Sequence, residues 1–156
     1  KNTFVFLRPL GLRLRGAFHA AGRVRPTLAV AVDVIHTSDF SGMPPQRFGR
    51  IKLGGGPALA KGSVCSAPLN RALEEAAGRL GIPLQYAVTP GVMGTDADKL
   101  NQTGVGLPVT TLFIPLRYMH SPSEVGSLAD VEQTVEVLAE FLAALDEHFD
   151  PDPFRD

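Results

Sequence analysis

The chain has 156 residues, 44% of them hydrophobic and 20% charged, with a formal net charge of -1 at pH 7. That length suits one domain with a sizeable core, and the near-neutral balance excludes a surface built on surplus Lys and Arg, so neither nucleic acid nor an anionic membrane is an expected partner. The lone Cys65 excludes an internal disulfide and fits a reducing cytoplasm, and no apolar run approaches the roughly 20 residues of a membrane-spanning helix.

Residues 3–7, rich in Val and Phe, predict a short strand. Residues 8–15 alternate Arg, Leu and Gly with no helical or strand period, and Pro9 interrupts any regular ladder. The small residues of 16–21 predict a brief helix ended by Gly22. Leu28-Ala-Val-Ala-Val32 is a continuous apolar run entered from Pro26, as expected of a strand buried on both faces and ending at Asp33. A carboxylate at such a strand end is costly to desolvate alone, so Asp33 either caps a turn or holds a cation.

Residues 37–63 are dense in Gly, Pro and Ser and predict loops, with short strands around 50–53. Residues 68–80 set Leu69, Leu73, Ala76, Ala77 and Leu80 at helical spacing, ended by Gly81 and Pro83. A strand over 84–89, a short helix over 95–102 and a buried strand over 108–115 follow. Ser127-Leu-Ala-Asp130 has the form of a capping box. Behind it Leu128, Val131, Val135, Leu138, Phe141 and Leu142 trace one apolar helical face, continued by Leu145. Strands alternating with helices predict an α/β fold with a mostly parallel or mixed sheet flanked by helices. The domain is expected over 1–149, with 150–156 as a flexible tail.

Three segments carry polar groups suited to chemistry. In Ala-Val-Asp33-Val-Ile-His36-Thr-Ser-Asp39, possible ligands cluster just past a buried strand, where open α/β sheets bind ligands. Asx-turns at Asp33 and Asp39 are the structural alternative. In Gly94-Thr-Asp96-Ala-Asp98 the glycines allow tight turns, and Thr95 or Asp96 can equally be a helix cap. In Ile114-Pro-Leu-Arg117-Tyr-Met-His120-Ser-Pro-Ser-Glu124 a buried strand delivers Arg117 and His120 into a loop, with Glu124 able to orient the imidazole.

In order and spacing, these segments resemble the tetrahedral aminopeptidases, also known as glutamyl or deblocking aminopeptidases and sometimes as endoglucanases. The likeness runs through Leu14-Arg-Gly-Ala17, Ala-Val-Asp33-Val, Lys52-Leu-Gly-Gly-Gly-Pro57, Gly94-Thr-Asp-Ala97 and Ile114-Pro-Leu-Arg-Tyr-Met-His120-Ser-Pro, then Glu124-Val and the last helix. The resemblance implies a three-layer zinc-peptidase-like domain, truncated on its N-terminal side, of which 1–149 is the C-terminal half. It implies a dinuclear metal site, zinc or cobalt, with Asp33 and His120 as ligands on different ions. Asp96 and Arg117 are implied near the substrate pocket, with peptide substrates and homo-oligomeric assembly. In this family a Glu-Glu pair precedes Leu-Arg-Gly-Ala, one Glu being the general base and the other a ligand. Leu10 and Gly11 stand at those positions here, and neither takes a proton or a metal through its side chain.

The functional expectation is therefore an aminopeptidase-type hydrolase with impaired chemistry. The alternatives are a non-catalytic remnant or assembly subunit of that family, and a glycan hydrolase. The last needs paired carboxyls and usually an aromatic platform for sugar, and this chain has no Trp and only two Tyr.

Overall fold

The computed structural model describes residues 15–45 and 49–152. The strands β1 (Ala29–His36), β2 (Ala58–Gly62), β3 (Gln85–Thr89), β4 (Val109–Arg117) and β5 (Val125–Gly126) form one mixed sheet in the order β1, β4, β2, β3, with β5 also paired to β4. β4 runs parallel to β1 and antiparallel to β2, and β2 runs parallel to β3. Four helices accompany them among the described residues: α1 (Arg15–Val24), α2 (Ala67–Leu80), α3 (Asp96–Asn101) and α4 (Leu128–Ala144).

Alternation along the strands sorts these helices into two outer layers, because successive side chains leave opposite faces of a sheet. On β4, Leu112 packs with Leu69, Leu73, Val137 and Phe141, so α2 and α4 cover that face, joined there by Val30 and Val32 of β1. Val109 of β4 faces the other way and packs with Ala17, Ala21, Ala97 and Leu100 of α1 and α3, together with Ala31 of β1. Ile51, Ala58, Ala60, Ala87 and Phe113 form a third buried group. Two polar side chains inside are partnered: Asn70 Nδ2 donates to the Ala60 carbonyl at 2.9 Å, and Thr110 Oγ1 donates to Asn70 Oδ1 at 2.5 Å. The expected α/β architecture, a sheet flanked by helices, is the one observed.

α2 forms where the periodicity places it. Ser66 caps its N-terminus, with Oγ accepting from Leu69 N, and Gly81 ends it in the left-handed region at φ 67°. Other expectations need correction. The first helix does not end at Gly22 but runs to Val24, and Arg25 at φ 51° turns the chain ahead of Pro26. β1 continues through Asp33 to His36, since its ladder with β4 holds to the His36 and Leu116 register. No strand forms at 50–53; the strand of that region is β2 at Ala58–Gly62.

α4 buries only part of the face its apolar residues trace: Leu138 and Phe141 enter the core and Leu142 and Leu145 pack against it, while the first two turns bury Asp130 and Thr134 instead. Asp130, Thr134, Val137, Leu138 and Phe141 are buried, whereas Leu128 is 80% exposed and Val135 61% exposed. The capping box is only half made. Ser127 Oγ accepts from Asp130 N, while the Asp130 carboxylate leaves its own helix for the glycine loop, accepting from Gly54 N at 2.8 Å and Gly56 N at 2.9 Å. Thr134 joins the core because its hydroxyl donates to the Asp130 carbonyl at 2.6 Å. The strand expected at 3–7 and the Leu10 and Gly11 positions lie outside the described residues.

Candidate active site at the ends of two parallel strands

Because β1 and β4 are parallel neighbours in register from Ala29 with Val109 to His36 with Leu116, both release their following loops at the same end of the sheet. The ladder extends one step further, with Thr37 N donating to Leu116 O at 2.9 Å. This geometry brings together groups that are more than 80 residues apart in sequence: Asp33 and His36 on β1, and His120 three residues past β4. The rings of His36 and His120 meet edge to face at 6.4 Å between centroids.

Asp33 is half-buried and sits opposite Phe113, on the face covered by α1 and α3. Burial pushes its carboxyl above the usual value, and the Val34 N–H, 2.8 Å from Oδ1, and the charge of His120 pull it back. Burial also lowers the His36 imidazole, with the charge of His120 adding to that effect. His120 therefore stands within electrostatic range of both groups. It adopts the left-handed conformation at φ 67°, and its backbone N–H donates to Glu124 Oε1 at 2.7 Å. Glu124 thus anchors this residue through its main chain.

Asp96 approaches the same place from α3. It is 5% exposed, and its Oδ1 has no hydrogen-bond partner. Burial raises its carboxyl, and the nearby Asp33 charge raises it further. The turn and cap roles open to this segment fall to its neighbours. Thr95 caps α3, its Oγ1 accepting from Ala97 N and lying 3.3 Å from Thr111 Oγ1. Asp98 ties the preceding turn, accepting from Met93 N at 3.0 Å and Gly94 N at 2.7 Å. What is left for Asp96 is a buried carboxylate oxygen without a partner, within electrostatic range of another carboxylate, an arrangement that calls for a cation or a donor.

Arg117 is engaged elsewhere. Its Nε and Nη2 reach Asp39 Oδ1 and Oδ2 at 3.2 and 2.7 Å, a two-pronged contact, and Asp39 Oδ2 also accepts from Leu53 N at 3.2 Å. The Arg117 hydrogen bonds hold the Asp39 carboxyl down at about 2. Beside this pair, Phe40 and Tyr118 meet edge to face at 5.0 Å.

The structure thus groups Asp33, His120 and Asp96, and sets Arg117 at the rim. Asp33 and His120 have the chemistry of divalent-metal ligands, but among the described residues no group of three or more His, Cys, Asp or Glu is placed to hold an ion. The pair fits part of a metal site, and a closed site needs further donors. Sequence reasoning did not single out Phe40, and it named Asp98 and Asp130 without the partners they have here. Their roles depend on contacts with segments that periodicity does not locate.

The sheet and its flanking helices define an α/β protein, with carboxylate and imidazole groups gathered toward one end of two parallel strands, where open α/β sheets bind ligands. The family model described as M42 glutamyl aminopeptidase matches residues 12–137, and the chain belongs to that family. A putative aminopeptidase of Acetivibrio thermocellus is 36% identical over 140 residues, 88% of this chain and 41% of that protein. The crystal structure of a TET aminopeptidase from the marine sediment archaeon Thaumarchaeota archaeon SCGC AB-539-E09 superposes with a TM-score of 0.82 at 30% identity, covering 88% of this chain and 39% of that one. The TET1 peptidase of Pyrococcus horikoshii, which can assemble into a tetrahedron or a large octahedral shell, superposes with a TM-score of 0.67 at 30% identity, covering 85% of this chain and 37% of that one. The chain spans about two fifths of the length of these relatives. Among the described residues no helix is long and apolar enough to cross a membrane.

Proposed function

We propose that this chain carries part of the active site of a metal-dependent aminopeptidase, which removes N-terminal residues from peptides at a dinuclear zinc or cobalt centre. The observation that supports this most is that the parallel pairing of β1 with β4 brings His120, just past β4, against His36 and near the half-buried Asp33 of β1, in a chain of the M42 family. Asp33 and His120 would each hold an ion. Divalent ions held there would supply Lewis-acid polarisation of the scissile carbonyl.

The chain's own residues have separable roles. Asp33 and Asp96 place negative charge in a poorly solvated setting, which draws a cation and disfavours an empty site. Asp96 has a buried oxygen without a partner, and in this reading a cation or a substrate's free α-amine would supply the missing donor. Glu124 fixes the backbone from which the His120 ring projects. No residue here is assigned as the general base, because Leu10 and Gly11 stand where the family's Glu pair is expected. A positioned base contributes about 10² to 10⁴ in rate, so hydrolysis by this chain alone should be impaired by that order. Residues 1–149 would then be a partial catalytic domain, working in the cytoplasm as a homo-oligomer, and the assembly of the Pyrococcus horikoshii relative supports self-association.

The number of zinc or cobalt ions retained per chain tests this reading, compared with Asp33→Asn and His120→Ala. Retention of metal in the unaltered chain, with clear loss in both variants, is the expected result, and a count close to two would mean that another subunit supplies the further donors. No bound metal at any concentration short of precipitation would leave the second reading, a non-catalytic remnant or assembly subunit, which Leu10 and Gly11 favour.

A further inference from the structure

His120 sits in a loop that leaves β4 at Arg117 and reaches β5 at Val125, and its φ of 67° is one that a residue with a Cβ rarely takes unaided. Tyr118 in the same loop is also left-handed, at φ 58°. Such a conformation is strained for a side chain with a Cβ and persists only where surrounding contacts over-determine it. On the Val125 side the contact is Glu124, which accepts the His120 N–H. On the Arg117 side, two consecutive residues of the loop after β1 grip the last residue of β4 and the first residue of the loop that follows it. Asp39 takes the Arg117 guanidinium at both oxygens, and the Phe40 ring meets the Tyr118 ring. Asp39 is itself tied down by Leu53 N, and the neighbouring Ser38 is pinned to Ile51, which is fully buried.

We propose that Asp39 and Phe40 form a clasp on Arg117 and Tyr118 that sets the position of His120, making Asp39 a positioning residue for the metal ligand. The inference rests on the aminopeptidase reading for the ligand role of His120, but not for the clasp itself. Arg117 then acts through Asp39 on the loop, and its guanidinium is not available to a substrate carboxylate. A one-pronged cation at 117 would serve less well, since only a planar fork meets both carboxylate oxygens.

The test compares the unaltered chain with Asp39→Asn, Arg117→Ala, the double variant and Phe40→Leu. Two quantities are read: amide hydrogen exchange over residues 118–124, with α2 as an internal reference, and the affinity for cobalt followed by its visible absorption. Each single variant is expected to speed loop exchange while leaving α2 unchanged, and to weaken cobalt binding by about tenfold to a hundredfold, the range for partners that orient a ligand. The Asp39→Asn and Arg117→Ala effects should not add, because both break one contact.

Loop exchange equal to that of the unaltered chain in Asp39→Asn and Arg117→Ala would overturn the clasp. A loosened loop with unchanged cobalt affinity would overturn the positioning role. If the unaltered chain takes up no cobalt, the aminopeptidase reading fails on its own, and loop exchange still decides whether the clasp exists.

Discussion

The carboxylate of Asp130 accepts the backbone N–H of Gly56 at 2.9 Å across 74 positions of sequence. With Gly54 N also bound, this one side chain fixes the Lys52-Leu-Gly-Gly-Gly-Pro57 loop against the start of α4. Gln85 holds the same loop from β3, its Oε1 accepting from Lys52 N and its Nε2 donating to the carbonyls of Lys52 and Gly56. Since Leu53 N reaches Asp39, the loop also buttresses the rim of the candidate site.

Asp130→Ala should be among the more damaging polar substitutions in the chain. It strands two backbone donors, one of them buried, and each unsatisfied buried group costs about 1–3 kcal/mol. Urea denaturation should show a loss of about 3 kcal/mol, against less than about 1 kcal/mol for exposed Asp146→Ala. Equal midpoints for the two variants would contradict this account of the loop.

Gly56→Ala should cost at least as much. A Cβ at this residue would lie 2.2 Å from the Pro83 carbonyl oxygen, and its φ of 88° disfavours any side chain. The loop cannot yield without breaking contacts to Asp130 and Gln85, so the expected loss is about 3 kcal/mol or more. Gly78→Ala in α2 serves as the opposite control, because a Cβ there meets nothing within 4 Å. Alanine in a helix interior is about 0.8–1.0 kcal/mol better than glycine, so that variant should melt higher.

The two apolar faces of α4 make contrasting predictions. Phe141→Ala empties a site that is 1% exposed and should cost about 3–5 kcal/mol. Val135→Ala, at a residue 61% exposed, should change stability by no more than about 0.5 kcal/mol. A large loss at Val135 by thermal melting would mean that the face carrying Leu128, Val131 and Val135 is covered in solution.

The carboxylates predict opposite responses to pH. For Asp39, held at about 2, the folded state favours the charged form. Its stabilisation is present above the unfolded value near about 3.9 and is lost as pH falls through about 2, and Arg117→Ala should remove that acid-sensitive contribution. For Asp96 the folded pKa is raised, so the charged form opposes folding at neutral pH and the penalty vanishes in acid. Asp96→Asn should therefore raise the melting temperature of the metal-free chain at pH 7, with the gain disappearing below about pH 3.9. A variant that melts lower at pH 7 would show that the Asp96 charge is satisfied by a partner.

The local features of this fold were legible where chemistry and periodicity agree. α2 has a Ser cap, apolar residues at helical spacing and a left-handed Gly at its end, and all three act as the sequence implies. β2 was not legible, because Ala58-Leu-Ala-Lys-Gly62 lacks the β-branched and aromatic residues that mark strands and follows a run of glycines. It is a strand because β4 and β3 pair with it on either side. The buried face of α4 was obscured by Asp130 and Thr134, which look like surface residues until their hydrogen bonds are known. At the site, Asp33, Asp96 and His120 were each visible in sequence. What joins Asp39 to Arg117 across 78 positions is tertiary pairing of β1 with β4, which no local pattern encodes.

The left-handed backbone at position 120 sets stability and chemistry against each other within one residue. Glycine adopts φ 67° without steric cost, so His120→Gly relieves strain that every other side chain must bear. A search for better-folding variants of this chain, blind to metal and substrate, would favour discarding the imidazole. Persistence of histidine at 120 in an evolving population would thus record selection for what the ring does, since selection for folding alone pulls the other way.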